Sequence, residues 1–358
     1  MKRTDLMALL GLEIPIIQAP MAGGSDSPEL AAAVSEAGGL GSIGATYLTP
    51  EAFKAAAEAI RGRTNRAFCV NLFAPQPVPE RPDDFTAAVS VVSRHSAAVG
   101  GPPADLPKTM TDPFERNFPT ALESGAKVLS FIMGTLPDDA VRAAKARGMI
   151  LFGTATTAAE AKAVERNGGD AVIAQGGEAG GHQGIFDGTV QPAGIGTVAL
   201  VPQIVDAVSI PVIAAGGIMD GRGIAAALAL GAQAVQMGTA FLTSDEAGAP
   251  ECHRAAIMAA NAEDTRLTRA FSGRVARGIK NPFMEAIEPG GDAKDVLPFP
   301  WQNALTRPMR TAGTQAGDGS VLSLWAGQGV GLSRRRPAAE LMATLAAETE
   351  AAIKRLRG

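Results

Sequence analysis

Cysteine, histidine and aromatic residues are all scarce in this chain. The 358 residues include two cysteines and three histidines, and only 4% are aromatic. Cys69 lies inside an apolar, strand-like run and Cys252 lies near a predicted helix start, so the pair makes neither a disulfide framework nor a metal cluster. We therefore expect no metal site and no cysteine nucleophile.

Long apolar runs and an excess of charge of one sign are also missing. No run reaches the length of a membrane span, and the apolar run near the start is interrupted too early for a signal peptide. The net charge of −4 is dispersed over both signs, which argues against nucleic acid or an anionic membrane as a partner. We expect a soluble, cytoplasmic, enzyme-sized protein, and the sequence leaves both a monomer and a homodimer open.

Short apolar runs alternate with helix-like runs along most of the chain. A cap residue followed by proline marks helix starts at Ser27-Pro28 and Thr49-Pro50. Eight such alternations predict an α/β fold of the (β/α)8 TIM-barrel type rather than a doubly wound open sheet. The predicted strands cover residues 14–20, 40–44, 67–72, 127–131, 149–153, 171–174, 211–214 and 233–237.

Two segments do not follow this alternation. Residues 75–120 are rich in proline, and residues 264–328 contain few periodic runs. Loops of this length in a compact protein are usually lids or added subdomains. We therefore predict a barrel formed by residues 1–74 and 121–263, a smaller lid or substrate subdomain formed by residues 75–120 and 264–335 over the barrel mouth, and a C-terminal helix in residues 336–358.

The most site-like stretch is AVIAQGGEAGGHQG, at residues 171–184. A buried strand breaks there into two pairs of glycines, which let a backbone pass close to a flat or charged ligand because no Cβ is in the way. His182 follows them, at the carboxyl end of a strand, where α/β proteins place their chemistry. A histidine that only hydrogen-bonds its own loop is the alternative, but this position favours a catalytic role.

Glycines also follow the seventh and eighth predicted strands, where barrels often hold a phosphate group. Gly216 and Gly217 end the seventh strand, and Met237, Gly238 and Thr239 end the eighth. Glycines leave backbone N–H groups free for a phosphate, and the helix after the seventh strand points its positive end the same way. One glycine pair alone would only indicate a tight turn, but two such loops favour a phosphate-bearing ligand.

Small residues and amides complete the predicted mouth. Met21, Ala22 and Gly23 follow the first strand and would let the backbone lie against a flat ring. Asn71 and Gln175 lie at the ends of the third and sixth strands, and amides suit the mixed donor and acceptor edge of a flavin pyrimidine. Taken singly, each amide could instead cap loop backbone.

An ordered set of motifs resembles the nitronate monooxygenase family, formerly called 2-nitropropane dioxygenases, and particularly its bacterial class I members. The set comprises PIIQAPMAGG, AGGLGSIGA, AQGGEAGGHQG, PVIAAGGIMDGRG, ALALGAQAVQMGTAFL, TRAFSGR, PFPWQNALT and LWAGQGVG. The resemblance extends from Ile14 to about Ser333. It implies an FMN-dependent barrel enzyme that converts alkyl nitronates and O2 into carbonyl compounds and nitrite through a flavin semiquinone.

The resemblance also implies roles for the residues at the mouth. His182 matches a histidine that faces the substrate. As a cation or donor it would stabilise the anionic nitro group, and as a neutral base it would deprotonate a nitroalkane. The implied FMN-binding residues are Met21, Ala22 and Gly23 along the ring, Asn71 and Gln175 at its polar edge, Gly180 beside it, and Gly216, Gly217, Gly238 and Thr239, with the adjoining Met237, at its phosphate.

One feature departs from the family pattern. Class I relatives place tyrosines near the substrate in the segment after the barrel, whereas the single tyrosine of this chain, Tyr47, is far upstream. The aromatic residues of that segment are Phe283, Phe299 and Trp301, and its polar candidates are Ser272, Arg274, Lys280 and Asn303.

Two other functions stay open beside the monooxygenase. An FMN-dependent enoyl-ACP reductase that uses NADH would share the flavin cradle, so the cradle does not separate the two, although the later motifs favour the monooxygenase. A non-catalytic flavin-binding barrel is the third hypothesis. His182 and the two long lid-like segments argue against it.

Overall fold

The computed structural model describes residues 4–289 and 295–357. The predicted barrel, lid and C-terminal helix segments include residues 1–3, 290–294 and 358, which lie outside the described ranges.

Eight parallel strands form a closed barrel, which confirms the predicted (β/α)8 fold. They are β1 (Ile16–Gln18), β2 (Gly41–Gly44), β3 (Phe68–Phe73), β4 (Val128–Ile132), β5 (Ile150–Ala155), β6 (Ala171–Gln175), β8 (Val212–Ala215) and β9 (Ala234–Met237). Neighbouring strands pair in the order β1-β9-β8-β6-β5-β4-β3-β2. A parallel bridge between Ile17 and Leu40 joins the two ends of this order and completes the ring.

The helices around the barrel begin at the caps that the sequence predicts. Ser27 and Thr49 accept backbone N–H groups at the starts of the first two of these helices, each with proline in the first turn. The surrounding helices are α2 (Pro28–Glu36), α3 (Pro50–Arg61), α5 (Pro113–Glu123), α6 (Asp138–Ala146), α7 (Ala158–Arg166), α8 (Thr197–Val205), α9 (Gly221–Ala229) and α13 (Ala338–Leu356).

Two of these helices come from segments that the sequence separates from the barrel. Helix α5 packs against α3 and β3, so residues 75–120 supply a barrel helix as well as lid structure. Helix α13 packs against α9 and α2, and so takes the place of the eighth barrel helix. The helix ring is therefore closed by the end of the chain.

A short first helix, α1 (Asp5–Leu10), closes the amino end of the barrel. Its Leu6, Met7 and Leu10 are buried in the cluster that fills the barrel interior. The Leu6 N–H donates to the side chain of Gln233, just before β9 begins. Because this end is plugged by apolar side chains, the carboxyl ends of the strands remain for a ligand.

The lid contains helices from both long segments and a small antiparallel sheet. Its helices are α4 (Thr86–Ala98), α10 (Glu251–Ala259), α11 (Pro282–Ile287) and α12 (Trp301–Ala316), and its strands are β7 (Gly181–His182), β10 (Thr265–Thr268) and β11 (Ala276–Ile279). Helices α11 and α12 pack on α4 around Phe271, Phe283 and Leu305. Strand β7 pairs with β11, with Ala276 opposite His182, so the lid holds the glycine-rich loop.

The exact division between barrel and lid remains a prediction. Among the helices in the described ranges, none combines the length and apolar character needed to cross a membrane.

Candidate active site

A large chamber opens at the carboxyl ends of the barrel strands. It encloses about 1230 Å³ of space when the part that is open to solvent is included. Its lining includes Met21, Ala22, Asn71, Gln175, Gly180, His182, Gly216, Gly217, Met237, Gly238 and Thr239. We call it the inner chamber. Gly23 instead lines an adjoining outer chamber, which shares Ala22 and His182 with the inner one.

The corner after β8 and β9 offers backbone donors. Gly216 and Gly217 have φ values of +117° and +68°, which side-chain-bearing residues rarely adopt. The Gly217 N–H finds no hydrogen-bond acceptor within the described residues. The start of α9 offers fewer free N–H donors than its position suggests, because the Asp220 carboxylate already accepts the Arg222 and Gly223 N–H groups. The loops, rather than this helix end, therefore supply the donors.

Close backbone approaches shape the walls of the inner chamber. A Cβ on Gly180 would lie 2.5 Å from the Gly327 nitrogen, so only glycine lets the two loops meet there. On the opposite side, the Asp26 carboxylate accepts the Met21 and Gly44 N–H groups, both at 2.7 Å. Burial raises the pKa of Asp26 to about 6. These contacts hold the Met21 loop against the second strand.

The two predicted amides lie in the inner chamber but differ in their free capacity. Asn71 Nδ2 donates to Ser130, and no described residue donates to the side-chain carbonyl oxygen of Asn71. Gln175 Nε2 donates to the His182 carbonyl oxygen at 3.0 Å, and its Oε1 accepts the Gly184 N–H at 2.6 Å. Gln175 thus anchors the loop that carries His182 and keeps one N–H for a ligand.

Glu178, between the two glycine pairs, supports the same loop. Both of its carboxylate oxygens accept from the backbone N–H of Thr197, the first residue of α8, and one also accepts its hydroxyl. An acidic side chain at a helix start is favourable because it satisfies free N–H groups. Glu178 therefore fixes the shape of the loop from outside the chamber.

The hydrogen bonds of His182 define its usable nitrogen. Nε2 lies 2.8 Å from Ser272 Oγ, and this hydroxyl also lies 3.2 Å from the Arg274 carbonyl oxygen. When Ser272 donates to that carbonyl, Nε2 carries the proton and Nδ1 keeps the lone pair of a general base. The ring also contacts Phe73 and Trp325, at centroid distances of 5.8 and 5.9 Å.

Electrostatics keep His182 neutral. Burial, together with the charges of Arg274 and Arg310, lowers the pKa of His182 from 6.5 to about 3. The imidazole is therefore uncharged at physiological pH. Of the two protonation states that the sequence leaves open for His182, the structure favours the neutral imidazole over the cation.

Three arginines surround this part of the site, where the charges of Asp187 and Glu160 act on Arg274 from a longer distance than an ion pair. Arg307 and Arg310 line the outer chamber, and Arg274 lies behind Ser272. None of the three forms an ion pair within the described part of the chain. Burial lowers the pKa of Arg274 and Arg310 to about 10, so both stay charged at neutral pH. Uncompensated cations favour an anionic ligand.

The remaining candidates of the segment after the barrel separate into two groups. Ser272 and Asn303 line the outer chamber, and Phe299 lies 6.3 Å from Phe73 between ring centroids. Phe283 and Trp301 are buried in the lid core, and Lys280 is exposed. The structure therefore brings only part of this segment to the site.

Two residues at the site are missed by sequence reasoning. Tyr47, in the loop after β2, lines both chambers, and so does His253 on α10. His253 Nε2 donates to the Trp325 carbonyl oxygen at 3.1 Å, and burial lowers its pKa to about 4. Only the short spacing between Tyr47 and the strand end at Gly44 could have signalled a position at the mouth. No group of side chains in the described ranges is suited to hold a metal ion.

Comparison with known proteins gives consistent similarities over nearly the whole chain. A family model described as nitronate monooxygenase matches residues 3–348. A nitronate monooxygenase of Pseudomonas aeruginosa is 45% identical over 344 residues, which cover 95% of this chain and 97% of the relative.

Two solved structures are similar in fold and sequence. A nitroalkane oxidase from Streptomyces ansochromogenes has a TM-score of 0.88 and 42% identity, covering 99% of this chain and 100% of the other. FabK from Thermotoga maritima has a TM-score of 0.78 and 32% identity, covering 100% of this chain and 99% of the other.

Proposed function

This chain belongs to the nitronate monooxygenase family, and on that premise we propose that it uses FMN and O2 to convert alkyl nitronates into carbonyl compounds and nitrite. The observation that carries this proposal is a neutral His182 in a chamber lined by Arg307 and Arg310, which form no ion pair with any residue that the structure describes. A nitronate is an anion that forms when a base removes a proton from a nitroalkane. The site therefore combines a base with a field that stabilises the product of deprotonation.

The free donors and the walls of the inner chamber support FMN as the cofactor. The Gly217 N–H, without an acceptor in the described structure, is a donor for the phosphate, with Gly216, Gly238 and Thr239 beside it. The free carbonyl oxygen of Asn71 and the remaining N–H of Gln175 would hold the polar edge of the ring. The Met21, Ala22 and Gly180 wall presents little side-chain bulk to a flat ring.

The chain's own residues would act on the substrate before and during oxidation. With a neutral nitroalkane, His182 Nδ1 would first take the proton from the carbon that bears the nitro group, a step that a nitronate does not need, and Ser272 would hold the ring in the required tautomer. Arg310 and Arg307 would stabilise the resulting anion. FMN, when bound, would supply the one-electron oxidation that neither histidine nor arginine can provide.

The NADH-dependent enoyl-ACP reductase that the sequence leaves open remains the second candidate. The flavin cradle would serve either activity. The two differ in the donor of electrons, which is the nitronate in one case and NADH in the other. This difference decides the experiment.

The test is anaerobic reduction of the purified, FMN-loaded protein, with ethyl nitronate in one cuvette and NADH in another. We expect the visible flavin absorption to change rapidly with the nitronate and not with NADH, and nitrite to appear once air is admitted. Rapid bleaching by NADH alone would instead support the reductase. FMN-loaded protein that responds to neither compound would support a non-catalytic flavin-binding barrel, and protein that binds no FMN would refute the cofactor assignment.

A further inference from the structure

The hydroxyl of Tyr47 is buried at the boundary of the two chambers and makes no hydrogen bond with any residue that the structure describes. A buried hydroxyl without a partner costs free energy, since it has given up water and gained nothing in return. Such groups in a native structure call for an explanation, and a position that lines a ligand cavity supplies one. The hydroxyl is placed to receive a ligand atom.

Packing holds the Tyr47 ring beside the base. Its ring lies edge-on to Phe73, with centroids 5.6 Å apart, and Phe73 lies edge-on to His182 at 5.8 Å. Phe73 therefore contacts both side chains, and both border the same part of the inner chamber. A substrate within reach of the His182 base would also lie near the Tyr47 hydroxyl.

The charges around Tyr47 determine what that ligand atom should be. Arg307 lies over the Tyr47 ring, 5.9 Å from its centroid, and the charge of Arg310 also acts on the phenol. Burial outweighs these cations and raises the pKa of Tyr47 to about 12, so the group stays a protonated donor. A neutral donor flanked by unpaired cations suits an anionic oxygen acceptor.

We propose that the Tyr47 hydroxyl donates a hydrogen bond to a nitronate oxygen of the substrate, and that Tyr47 thereby selects the anionic nitronate over the neutral nitroalkane. This inference rests on the proposed function. The proposal gives the one tyrosine of the chain a direct contact with substrate, although Tyr47 precedes the segment after the barrel by more than two hundred residues. Tyr47 is then a substrate-binding residue, and His182 remains the base.

The first test compares the wild-type protein with Tyr47→Phe, which removes only the hydroxyl. Nitrite, the anion that the proposed reaction releases, is titrated into the oxidised, FMN-loaded protein by calorimetry. We expect the dissociation constant for nitrite to rise by about 10- to 100-fold, the usual effect of losing a hydrogen bond to a charged group. An unchanged dissociation constant, or no binding by the wild-type protein, would overturn the proposal.

A second measurement tests selectivity. The kcat/KM of Tyr47→Phe should fall by about 10- to 100-fold for ethyl nitronate but by only about 2- to 10-fold for neutral nitroethane, since a neutral acceptor gains less from the donor. An equal fall for both substrates would contradict selection of the anion. Ser244→Ala is the matched control, because Ser244 carries another buried hydroxyl without a partner and lines neither chamber.

A third measurement needs no substitution. Tyr47 is the only tyrosine in the sequence, so biosynthetic incorporation of fluorotyrosine gives a single, assigned ¹⁹F signal. Nitrite should shift this signal if the phenol contacts the anion, and a signal that does not move at saturating nitrite would refute the contact. Because nitrite binding requires no turnover, a wild-type protein that binds nitrite but oxidises no nitronate would refute the proposed function and leave the anion contact standing.

Discussion

Replacement of His253 by glutamine should make the protein less sensitive to acid. His253 is only 4% exposed, and its Nε2 donates to the Trp325 carbonyl oxygen. Burial lowers its pKa from 6.5 to about 4. The native protein therefore keeps the ring neutral at pH values where the unfolded chain binds a proton. Glutamine retains a donor for Trp325 but does not titrate.

The sign and size of the effect follow from these two pKa values. Because the native pKa is depressed, the stabilisation is complete above pH 6.5 and is lost as the pH falls towards 4. One pKa unit corresponds to about 1.4 kcal/mol, and integration over these two pKa values shows that His253 alone lowers the free energy of unfolding by about 2.4 kcal/mol between pH 7 and pH 4.5. His253→Gln does not lose this free energy, because glutamine does not take up a proton.

Urea unfolding at pH 7 and pH 4.5, followed by tryptophan fluorescence, measures the effect. The free energy of unfolding of FMN-loaded wild-type protein is compared with that of His253→Gln at each pH, so that contributions from other titrating groups cancel. We expect the difference between the two proteins to shift by about 2.4 kcal/mol in favour of the variant at the lower pH. A difference that stays constant with pH would refute a neutral, buried His253.

Three further substitutions test the site. His182→Asn should retain FMN while kcat for neutral nitroethane falls by at least about 100-fold, because the general base is lost. Unchanged turnover of nitroethane would remove His182 from the mechanism. Gly217→Val should give colourless protein. Residue 217 has a φ of +68°, and its Cβ would lie 3.2 Å from the Glu178 Cβ. A variant that keeps a full complement of FMN would show that the phosphate assignment is wrong. Ser272→Ala should keep FMN and lower kcat by about 2- to 12-fold, which is the effect of losing one neutral hydrogen bond to the His182 ring. A kcat equal to that of the wild type would exclude a role for Ser272 in orienting the His182 ring.

Much of the barrel could be predicted because its strands are buried on both faces. Parallel strands of this kind appear as continuous apolar runs, and the predicted strand at residues 171–174 differs from β6 (Ala171–Gln175) by one residue. The glycine-rich loop and His182 follow directly from that strand. Their position at the carboxyl end needs no long-range information, since it is set by the direction of the chain.

Two helices show what the sequence alone does not report about the helix ring and the lid. Helix α5 lies within a proline-rich stretch that suggested lid structure throughout, yet its apolar face packs on the barrel. Helix α13 follows the lid and returns to the gap between α9 and α2. Local periodicity reports that a helix has an apolar face, but not which surface covers that face.

The sequence by itself determined the barrel, the glycine-rich loops and the candidate base, because each depends on residues close together in the chain. Only the tertiary structure determined the protonation state of that base and the residues that surround it. The neutral form of His182 depends on burial and on Arg274 and Arg310, which are distant in sequence. The positions of Tyr47 and His253 at the same chambers depend on ring closure and on lid packing. Charge and desolvation act through space, so their effects on a pKa can be determined only when the positions of distant segments are known.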